Sequence, residues 1–334
     1  MEQGKMTLKN LIVKNPFEQS PTVPERMCWS YSTLKLFRKC QRKFFWQRMF
    51  RIRSRYEAPP LVVSNASHEG LATWYSLKRT TMSRIAVNLI TTTMAHLEKN
   101  VKFYQQDEYD DLLRLISAIR GMLIGYSKVY RDDKKKWSLT KRDVEVWFNI
   151  DMGDFDFVGK IDLMPTQKKK LLLVDHKVIS NIGESYLEKL SLDGQMRGYI
   201  LGANSLGLKP KRVVYNLIRK CKLRKKSGEG LEEFCKRIEQ DYLDRPDFYF
   251  QREELRFSKA DVEAFEHDLR KTHEQYDHII TSAADPLDPW EWPCNDDACD
   301  DYHRTCEFFP LCIQGLDIGT SKLYTQRNSK KHRS

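Results

Sequence analysis

The sequence lacks any long apolar run. No stretch approaches the about 20 residues that a membrane-spanning helix needs, which argues against an integral membrane protein. The first 14 residues show no signal-peptide pattern, and no internal repeat is visible in the chain. From these absences we expect a cytoplasmic protein without a membrane partner and without a repeat architecture.

The composition permits a folded core and indicates a charged partner. The chain has 334 residues, of which 40% are hydrophobic, and this suffices for one large domain or two modest ones. Its net charge of +11 favours a polyanion, of which nucleic acid is the commonest. Its 8 cysteines would stay reduced in a cytoplasm, so their clustering suggests a metal rather than disulfides.

The hydrophobic period changes along the chain and predicts an α/β fold. Helical patterns begin at Ser30 and Ser258, cover about 66–130, and recur over 193–206. Period-two patterns predict strands at 144–150, 155–164, 171–176, 213–218 and 248–257. The order of these elements predicts a small mixed β-sheet flanked by helices, with a helical insertion before it.

The same patterns suggest boundaries along the chain. The predicted parts are an N-terminal segment at 1–29, a core at 30–285 with its helical insertion at about 66–130, a cysteine cluster at 286–315 and a basic tail at 316–334.

The most informative stretch runs from Gly159 to Lys177. Side chains at positions i and i+2 of a strand point to the same face, so Asp175 and Lys177 project together while His176 points away. If a turn at 167–170 pairs the two apolar segments as a hairpin, Asp162 joins them. Two carboxylates and a backbone carbonyl are suitable ligands for Mg²⁺ or Mn²⁺, and a lysine beside them stabilises developing charge.

Taken together, these motifs resemble a known enzyme family. From Ser32 to Cys312 the chain is similar to PD-(D/E)XK nucleases of the RecB-type branch, which includes AddB-type recombination nucleases, CRISPR-associated adaptation nucleases and many phage exonucleases. The resemblance implies a restriction-endonuclease-like mixed central sheet, a Mg²⁺- or Mn²⁺-dependent deoxyribonuclease, and a bacterial, archaeal or phage-infected cell as its setting.

The resemblance also assigns roles to individual residues. Gln195 and Tyr199 match a Gln-x-x-x-Tyr motif and share one helical face, from which they would contact DNA and support the lysine. His68 resembles an upstream metal histidine, although Ser64 stands where the family often has glycine. The implied catalytic residues are Asp162, Asp175, Lys177, Gln195 and Tyr199, and the implied metal ligands are His68, Asp162, Asp175 and His176, the last through its carbonyl.

The C-terminal cysteines suggest a second metal centre. In iron-sulfur members of the branch, one N-terminal and three C-terminal cysteines hold a [4Fe-4S] cluster. Carried over, the ligands are Cys40, Cys299, Cys306 and Cys312. Two alternatives stay open: Cys294 replaces Cys40 as the fourth ligand, or Cys294 joins the other three C-terminal cysteines in a zinc site.

Basic residues occur in two groups that suit a nucleic-acid surface. No acidic residue lies between Lys209 and Lys226, and a second basic group near Arg38 alternates with Phe44, Phe45, Trp46 and Phe50. Basic groups track phosphates while aromatic rings stack on bases, a mode typical of single strands, although Phe44 and Phe45 better suit a core. The predicted DNA-binding residues are Arg38, Arg42, Lys43, Arg219, Lys220, Lys222 and Arg224.

Two functions follow from these features. The first is an exonuclease that acts on single-stranded or processed DNA ends in recombination, repair, phage replication or defence. Its expected partner is a helicase or recombination protein. The second is an inactive nuclease-fold subunit that binds DNA or organises a complex. The intact Asp162, Asp175, Lys177, Gln195 and Tyr199 favour the enzyme.

Overall fold

The computed structural model describes residues 21–54, 59–77, 81–82, 84–89, 91, 106–300, 305–313 and 323–326. Residues 1–20 of the predicted N-terminal segment lie outside this part of the chain, as does the predicted basic tail apart from 323–326. No helix within the described ranges combines the length and apolar character that crossing a membrane requires.

The α-helices alternate with strands over the second half of the chain. In chain order they are α1 (Tyr31–Lys39), α2 (Gln41–Phe44), α3 (Pro59–Ser76), α4 (Gln106–Val129), α5 (Asp133–Lys136), α6 (Glu184–Leu190), α7 (Gly194–Ser205), α8 (Leu231–Asp244), α9 (Pro246–Tyr249), α10 (Lys259–Ser282) and α11 (Phe309–Cys312). A π-helical turn, Phe45–Met49, follows α2.

The strands form a central sheet and a small separate pair. They are β1 (Met27–Trp29), β2 (Ile52–Ser54), β3 (Val144–Asp151), β4 (Phe155–Leu163), β5 (Thr166–Gln167), β6 (Lys170–Ile179), β7 (Arg212–Arg219), β8 (Phe250–Leu255) and β9 (Tyr324–Gln326). The predicted α/β architecture, a mixed sheet flanked by helices, is confirmed.

The chain divides into two compact units. The first unit comprises Met1–Tyr56, Asp151–Val158 and Glu266–Ser334, and the second comprises Glu57–Ile150 and Gly159–Phe265. In the first unit β1 pairs in parallel with the start of β4, and β2 pairs antiparallel with β9. Its core is aromatic: Trp29 packs against Phe37, Phe44 and Tyr276 at ring-centroid distances of 5.5–5.7 Å.

The second unit holds the mixed part of the sheet. The end of β4 pairs antiparallel with β6, where Leu163 is opposite Val174, and β6 pairs in parallel with β7. Strand β8 then pairs antiparallel with β7. On β6, Leu172, Leu173 and Val174 are completely buried, as expected of a central strand covered on both faces.

A tight contact seats α7 against the sheet in the second unit. The ring of Phe148 on β3 is 3% exposed, and a Cβ atom placed on Gly159 or on Gly202 would overlap it. Glycine is therefore required at both positions for close approach of β4 and α7 to this ring. Tyr199 meets the same ring edge to face, with centroids 6.1 Å apart.

Candidate active site

Strand β6 presents its polar residues alternately to opposite faces. The Lys177 ammonium lies 2.9 Å from Oδ2 of Asp175, and both side chains are largely buried. The His176 ring faces the other way, where its Nδ1 meets the Asn216 amide at 2.9 Å. The predicted period-two arrangement of these three residues is therefore present in the structure.

Asp162 reaches the same place from the end of β4. Its Oδ2 accepts a hydrogen bond from the His176 backbone N–H over 2.9 Å, and Nδ1 of His68 on α3 lies 3.3 Å from the same oxygen. Burial alone would raise the pKa of Asp162, but His68 outweighs burial and lowers it. For His68 the effects are opposite in sign. Burial lowers the pKa of His68, but the Asp162 carboxylate raises it by more, so the pKa of His68 is raised overall.

Helix α7 supplies the remaining polar groups. Asp193 caps the helix by accepting from the Gln195 backbone N–H at 2.9 Å, which fixes the first turn beside β6. Lys177 then donates to Oε1 of Gln195 over 2.5 Å, and Nε2 of Gln195 donates to the Tyr199 hydroxyl over 2.8 Å. The chain of contacts Asp175, Lys177, Gln195, Tyr199 is continuous.

The two aspartates bring two carboxylates close together in a buried place. Burial raises the pKa of Asp175, Lys177 opposes this, and the neighbouring Asp162 raises it further. Among the described residues, the Lys177 ammonium at 2.9 Å is the ion-pair partner of Asp175 Oδ2. The same lysine keeps its charge, because Asp175 and Asp193 outweigh burial and raise its pKa.

A divalent cation suits this arrangement. The donors are hard oxygens of the kind that Mg²⁺ and Mn²⁺ prefer: the Asp175 and Asp162 carboxylates and the carbonyl of His176. Among the described residues, no group of three or more His, Cys, Asp or Glu side chains is already arranged as a metal site. His68 in particular faces the Asp162 carboxylate with Nδ1.

Comparison with known proteins identifies the family of this fold. The family model of the PD-(D/E)XK nuclease superfamily matches residues 28–313. The chain belongs to the PD-(D/E)XK nuclease superfamily. Members of this superfamily are typically metal-dependent nucleases, so the family supports a hydrolase with DNA as its substrate, and the mixed sheet agrees with the restriction-endonuclease-like fold.

Other comparisons add little to the superfamily assignment. A solved structure titled "Crystal structure of SSO0001" is similar over 63% of this chain and 83% of that chain, with 12% sequence identity and a TM-score of 0.27. A similarity at that level carries no functional conclusion. The comparison with curated proteins gives no match.

The cysteines predicted to hold a second metal all lie in the first unit of this superfamily member. Sγ of Cys40 accepts the Lys43 backbone N–H at 3.4 Å, and Sγ of Cys312 accepts Nε1–H of Trp46 at 3.3 Å. The Cys306 N–H donates to the Cys299 carbonyl over 2.7 Å. These contacts gather the segments that carry the predicted ligands.

Burial and neighbouring cysteines raise the pKa values of the cysteine thiols. Burial and then the neighbouring Cys40 raise the pKa of Cys294 to about 12. Burial raises the pKa of Cys312 to about 11, although Trp46 opposes the shift. Thiols that accept hydrogen bonds from N–H donors, as Cys40 and Cys312 do, have the chemistry of ligands to a cluster or zinc, in which bound metal removes the protons.

The predicted N-terminal DNA-binding residues make contacts inside the first unit. Arg38 donates to Thr272 Oγ1 over 2.9 Å, the Arg42 guanidinium lies 4.4 Å from the Trp290 ring centroid, and Lys43 pairs with Glu307 at 3.4 Å. The aromatic residues between and after them are buried: Phe44, Phe45, Trp46 and Phe50. The core prediction for Phe44 and Phe45 is confirmed. The prediction that the rings of this segment stack on bases is wrong, because all four rings are buried within the protein.

The second predicted group separates into anchored and exposed members. Arg219 donates to the carbonyls of Phe248 and Ile182 and to Oδ1 of Asn181, while Lys220 is half-buried and burial lowers its pKa. Lys222 and Arg224 are exposed on the loop after β7.

Sequence patterns do not predict the polar partners of His176 behind β6. Tyr75, Tyr126, Asp133, Asn216 and Arg252 form a buried polar cluster that contacts His176. Their aromatic members resemble ordinary core residues, and they come from five elements spread over the second unit. A buried asparagine in the strand 213–218, otherwise apolar apart from Tyr215, was the one signal in the sequence.

Proposed function

We propose that the protein is a Mg²⁺- or Mn²⁺-dependent deoxyribonuclease of the RecB-type branch that acts as an exonuclease on single-stranded or processed DNA ends. The observation that carries this proposal is the continuous contact from Asp175 through Lys177 and Gln195 to Tyr199. Charged residues at the end of an ordinary strand are exposed to solvent. Here a lysine and a carboxylate are instead buried beside a glutamine that is hydrogen-bonded to a tyrosine.

The carboxylates provide the binding site for the cation. Asp162, Asp175 and the His176 carbonyl would hold it, with His68 as a further ligand after its ring leaves Asp162. When bound, the divalent cation neutralises the scissile phosphate and lowers the pKa of a coordinated water. The repulsion between the buried Asp162 and Asp175 carboxylates supports this assignment, because a bound cation would relieve it.

Lys177 performs the charge-stabilising role. It keeps its proton, so it acts as a hydrogen-bond donor that orients the attacking water or holds negative charge developing on the phosphate. Gln195 fixes the ammonium from one side and Asp175 from the other. The Tyr199 hydroxyl accepts a hydrogen bond from the Gln195 amide and so holds Gln195 in place beside the ammonium.

The cysteine cluster is proposed to bind a [4Fe-4S] centre through Cys40, Cys299, Cys306 and Cys312. The N–H donors to Cys40 and Cys312 support thiolate ligands, since hydrogen bonds stabilise negative sulfur. After burial, Cys40 and then Cys312 and Cys299 raise the pKa of Cys294, which supports Cys294 as the alternative fourth ligand. Zinc at Cys294, Cys299, Cys306 and Cys312 is the competing occupant.

DNA is proposed to contact the exposed basic loop of the second unit. Lys222 and Arg224 are free to neutralise phosphates, and Lys220 adds charge at its base. A smaller part in phosphate binding is proposed for Arg38, Arg42, Lys43 and Arg219, because each of them already contacts neighbouring residues. Recombination, repair, phage replication or defence are the proposed settings, with a helicase or recombination protein as partner.

End-labelled DNA tests the proposed function. Single-stranded and double-stranded substrates, each labelled at one end, are incubated with the protein and Mg²⁺ or Mn²⁺. We expect progressive shortening from a free end, faster on single strands, and no reaction on closed circular single strands. Cleavage of circles would replace the exonuclease by an endonuclease, and binding without any metal-dependent cleavage would favour an inactive nuclease-fold subunit.

A further inference from the structure

The His176 side chain is held by a buried polar cluster on the opposite face of β6. Nδ2 of Asn216, one strand away on β7, lies 2.9 Å from Nδ1 of His176. The Tyr75 ring stacks on the imidazole with an interplanar angle of 18° and centroids 5.8 Å apart, and Tyr126 meets it edge-on. His176 and Asn216 are 3% and 0% exposed, so bulk water has no access to this contact.

The cluster continues away from β6 as a closed set of hydrogen bonds. The Tyr75 hydroxyl contacts the Tyr126 hydroxyl at 2.7 Å and donates to Oδ2 of Asp133 at 2.7 Å. Arg252 on β8 donates to Oδ1 of Asp133 over 2.9 Å. The guanidinium also contacts two aromatic rings, 3.7 Å from the centroid of Tyr130 and 4.6 Å from that of Trp137.

Arg252 fixes which way the Asn216 amide points. Its Nε–H donates to Oδ1 of Asn216 over 3.2 Å, and a guanidinium can only donate. The amide nitrogen of Asn216 must therefore face His176, whose Nδ1 accepts the hydrogen bond. A neutral imidazole with an accepting Nδ1 carries its proton on Nε2.

Because of where His176 stands, this contact acts on the catalytic strand. His176 lies between Asp175 and Lys177, and its backbone N–H donates to Asp162. Fixing its ring on one face of β6 fixes the backbone that directs Asp175 and Lys177 to the other face. The side chain and the backbone of one residue thus connect the buried polar cluster to the carboxylates.

We propose that Asn216 is a positioning residue for the nuclease centre, which acts through His176 on Asp162, Asp175 and Lys177. The proposal rests on the proposed nuclease function. Asn216 contacts the His176 ring, on the face of β6 opposite Asp175 and Lys177, so its role is positioning rather than catalysis. It orients the strand that carries the reacting groups. A displacement of those groups by about 1 Å can lower the rate about 100-fold.

Two substitutions at one position separate positioning from mere packing. Asn216→Leu removes the hydrogen bond to His176 and is expected to lower kcat for DNA cleavage about tenfold or more, with KM for DNA within about twofold. Asn216→Asp restores a hydrogen bond with reversed polarity, because its carboxylate accepts from Nδ1–H. We expect it to keep kcat within about threefold of the wild-type value.

The matched control is Asn204→Leu, at an exposed position near the end of α7. It is expected to leave kcat and KM unchanged. Asn216→Leu that folds and keeps kcat within about twofold overturns the positioning role. Loss of activity in both Asn216 variants, with both folded, also overturns it, since restoring the hydrogen bond should restore the rate.

A spectroscopic readout needs neither DNA nor metal. Histidine-selective nitrogen labelling reports which ring nitrogen carries the proton, and His176→Gln assigns the signal. We expect the proton on Nε2 in the wild-type protein and on Nδ1 in Asn216→Asp. A wild-type His176 with its proton on Nδ1 overturns the proposal even if Asn216→Leu does not fold. An inactive wild-type protein with the expected proton positions would instead refute the nuclease function alone.

Discussion

The ammonium of Lys177 donates a hydrogen bond to the side-chain oxygen of Gln195 over 2.5 Å. This contact joins the catalytic strand to the first turn of α7, and it restrains a side chain that would otherwise have several free rotatable bonds. The Gln195 amide is oriented in turn by Tyr199 at 2.8 Å. The pair explains how a lysine near a buried carboxylate keeps one position.

Removal of the Gln195 amide should therefore slow catalysis more than it weakens DNA binding. Gln195→Ala frees the Lys177 ammonium on one side, and we expect kcat to fall by about 10- to 100-fold with a small change in KM. Steady-state cleavage of labelled DNA measures both constants. Asn204→Ala, an exposed position of the same helix, serves as the control. A large rise in KM at unchanged kcat would assign Gln195 to DNA binding instead.

The contact of Phe148 with Gly159 and Gly202 predicts a large effect on stability. Phe148→Ala leaves a cavity where α7 approaches the sheet and should lower the free energy of unfolding by about 3–5 kcal/mol. Gly202→Val should cost about 1–3 kcal/mol by overpacking the same ring.

The neighbouring residue on β3 provides the matched control. Trp147 is 67% exposed, so Trp147→Ala should change the free energy of unfolding by no more than about 0.5 kcal/mol. Urea unfolding followed by circular dichroism gives these values. Equal losses for Phe148→Ala and Trp147→Ala would contradict the close packing of α7.

Glu229 makes part of the stability depend on pH. Hydrogen bonds from Arg237 lower the pKa of Glu229 from its ordinary 4.5 to about 2, although burial opposes the shift. The unfolded chain therefore binds a proton at higher pH than the folded protein does. The stabilisation is complete above about pH 4.5 and is lost as the pH falls toward about 2.

Glu229→Gln should remove this portion of the pH dependence. We expect the difference between urea midpoints at about pH 6 and about pH 3 to be smaller in Glu229→Gln than in the wild-type protein. The exposed Glu233→Gln on α8 should keep the wild-type difference. The same carboxylate also accepts the Lys226 backbone N–H over 2.8 Å, so its loss should loosen the basic loop. Identical pH profiles for all three proteins would refute this account.

The cysteine cluster predicts a coloured protein. After anaerobic purification we expect brown protein, iron and inorganic sulfide in cluster stoichiometry, and visible charge-transfer absorbance. Cys299→Ser and Cys312→Ser should lose the colour and part of the stability of the first unit. The exposed Cys28→Ser should keep both. Colourless protein with stoichiometric zinc would replace the iron-sulfur centre by the zinc alternative.

The strand pattern allowed much of the site to be predicted. Alternation along β6 correctly separates His176 from Asp175 and Lys177, and helical spacing correctly places Gln195 beside Tyr199. The predicted helix starts at Ser30 and Ser258 are also present, since Ser30 accepts from the Thr33 N–H and Ser258 exchanges hydrogen bonds with Asp261. These are local properties, so nearby sequence is sufficient to determine them.

The parts that escaped prediction depend on distant partners. Asn216 and Arg252 meet His176 and Asp133 only after β7 and β8 pair and α5 packs nearby, and no local pattern encodes that meeting. For the same reason the sequence offered no sign that Arg38 would donate to Thr272, 234 positions away. A basic residue in a sequence indicates charge, whereas its hydrogen-bond acceptors are decided by the tertiary fold.

Metal-dependent cleavage by variants of Asp175 and Lys177 tests the central claim most directly. Asp175→Asn removes the charge that would hold the cation, and Lys177→Ala removes the charge stabiliser. Each should lower the rate on end-labelled single-stranded DNA by about 100-fold or more in Mg²⁺ or Mn²⁺, while the variants stay folded. The exposed Lys189→Ala on α6 should cleave like the wild-type protein. Unchanged cleavage by both Asp175→Asn and Lys177→Ala would contradict this assignment of the nuclease centre.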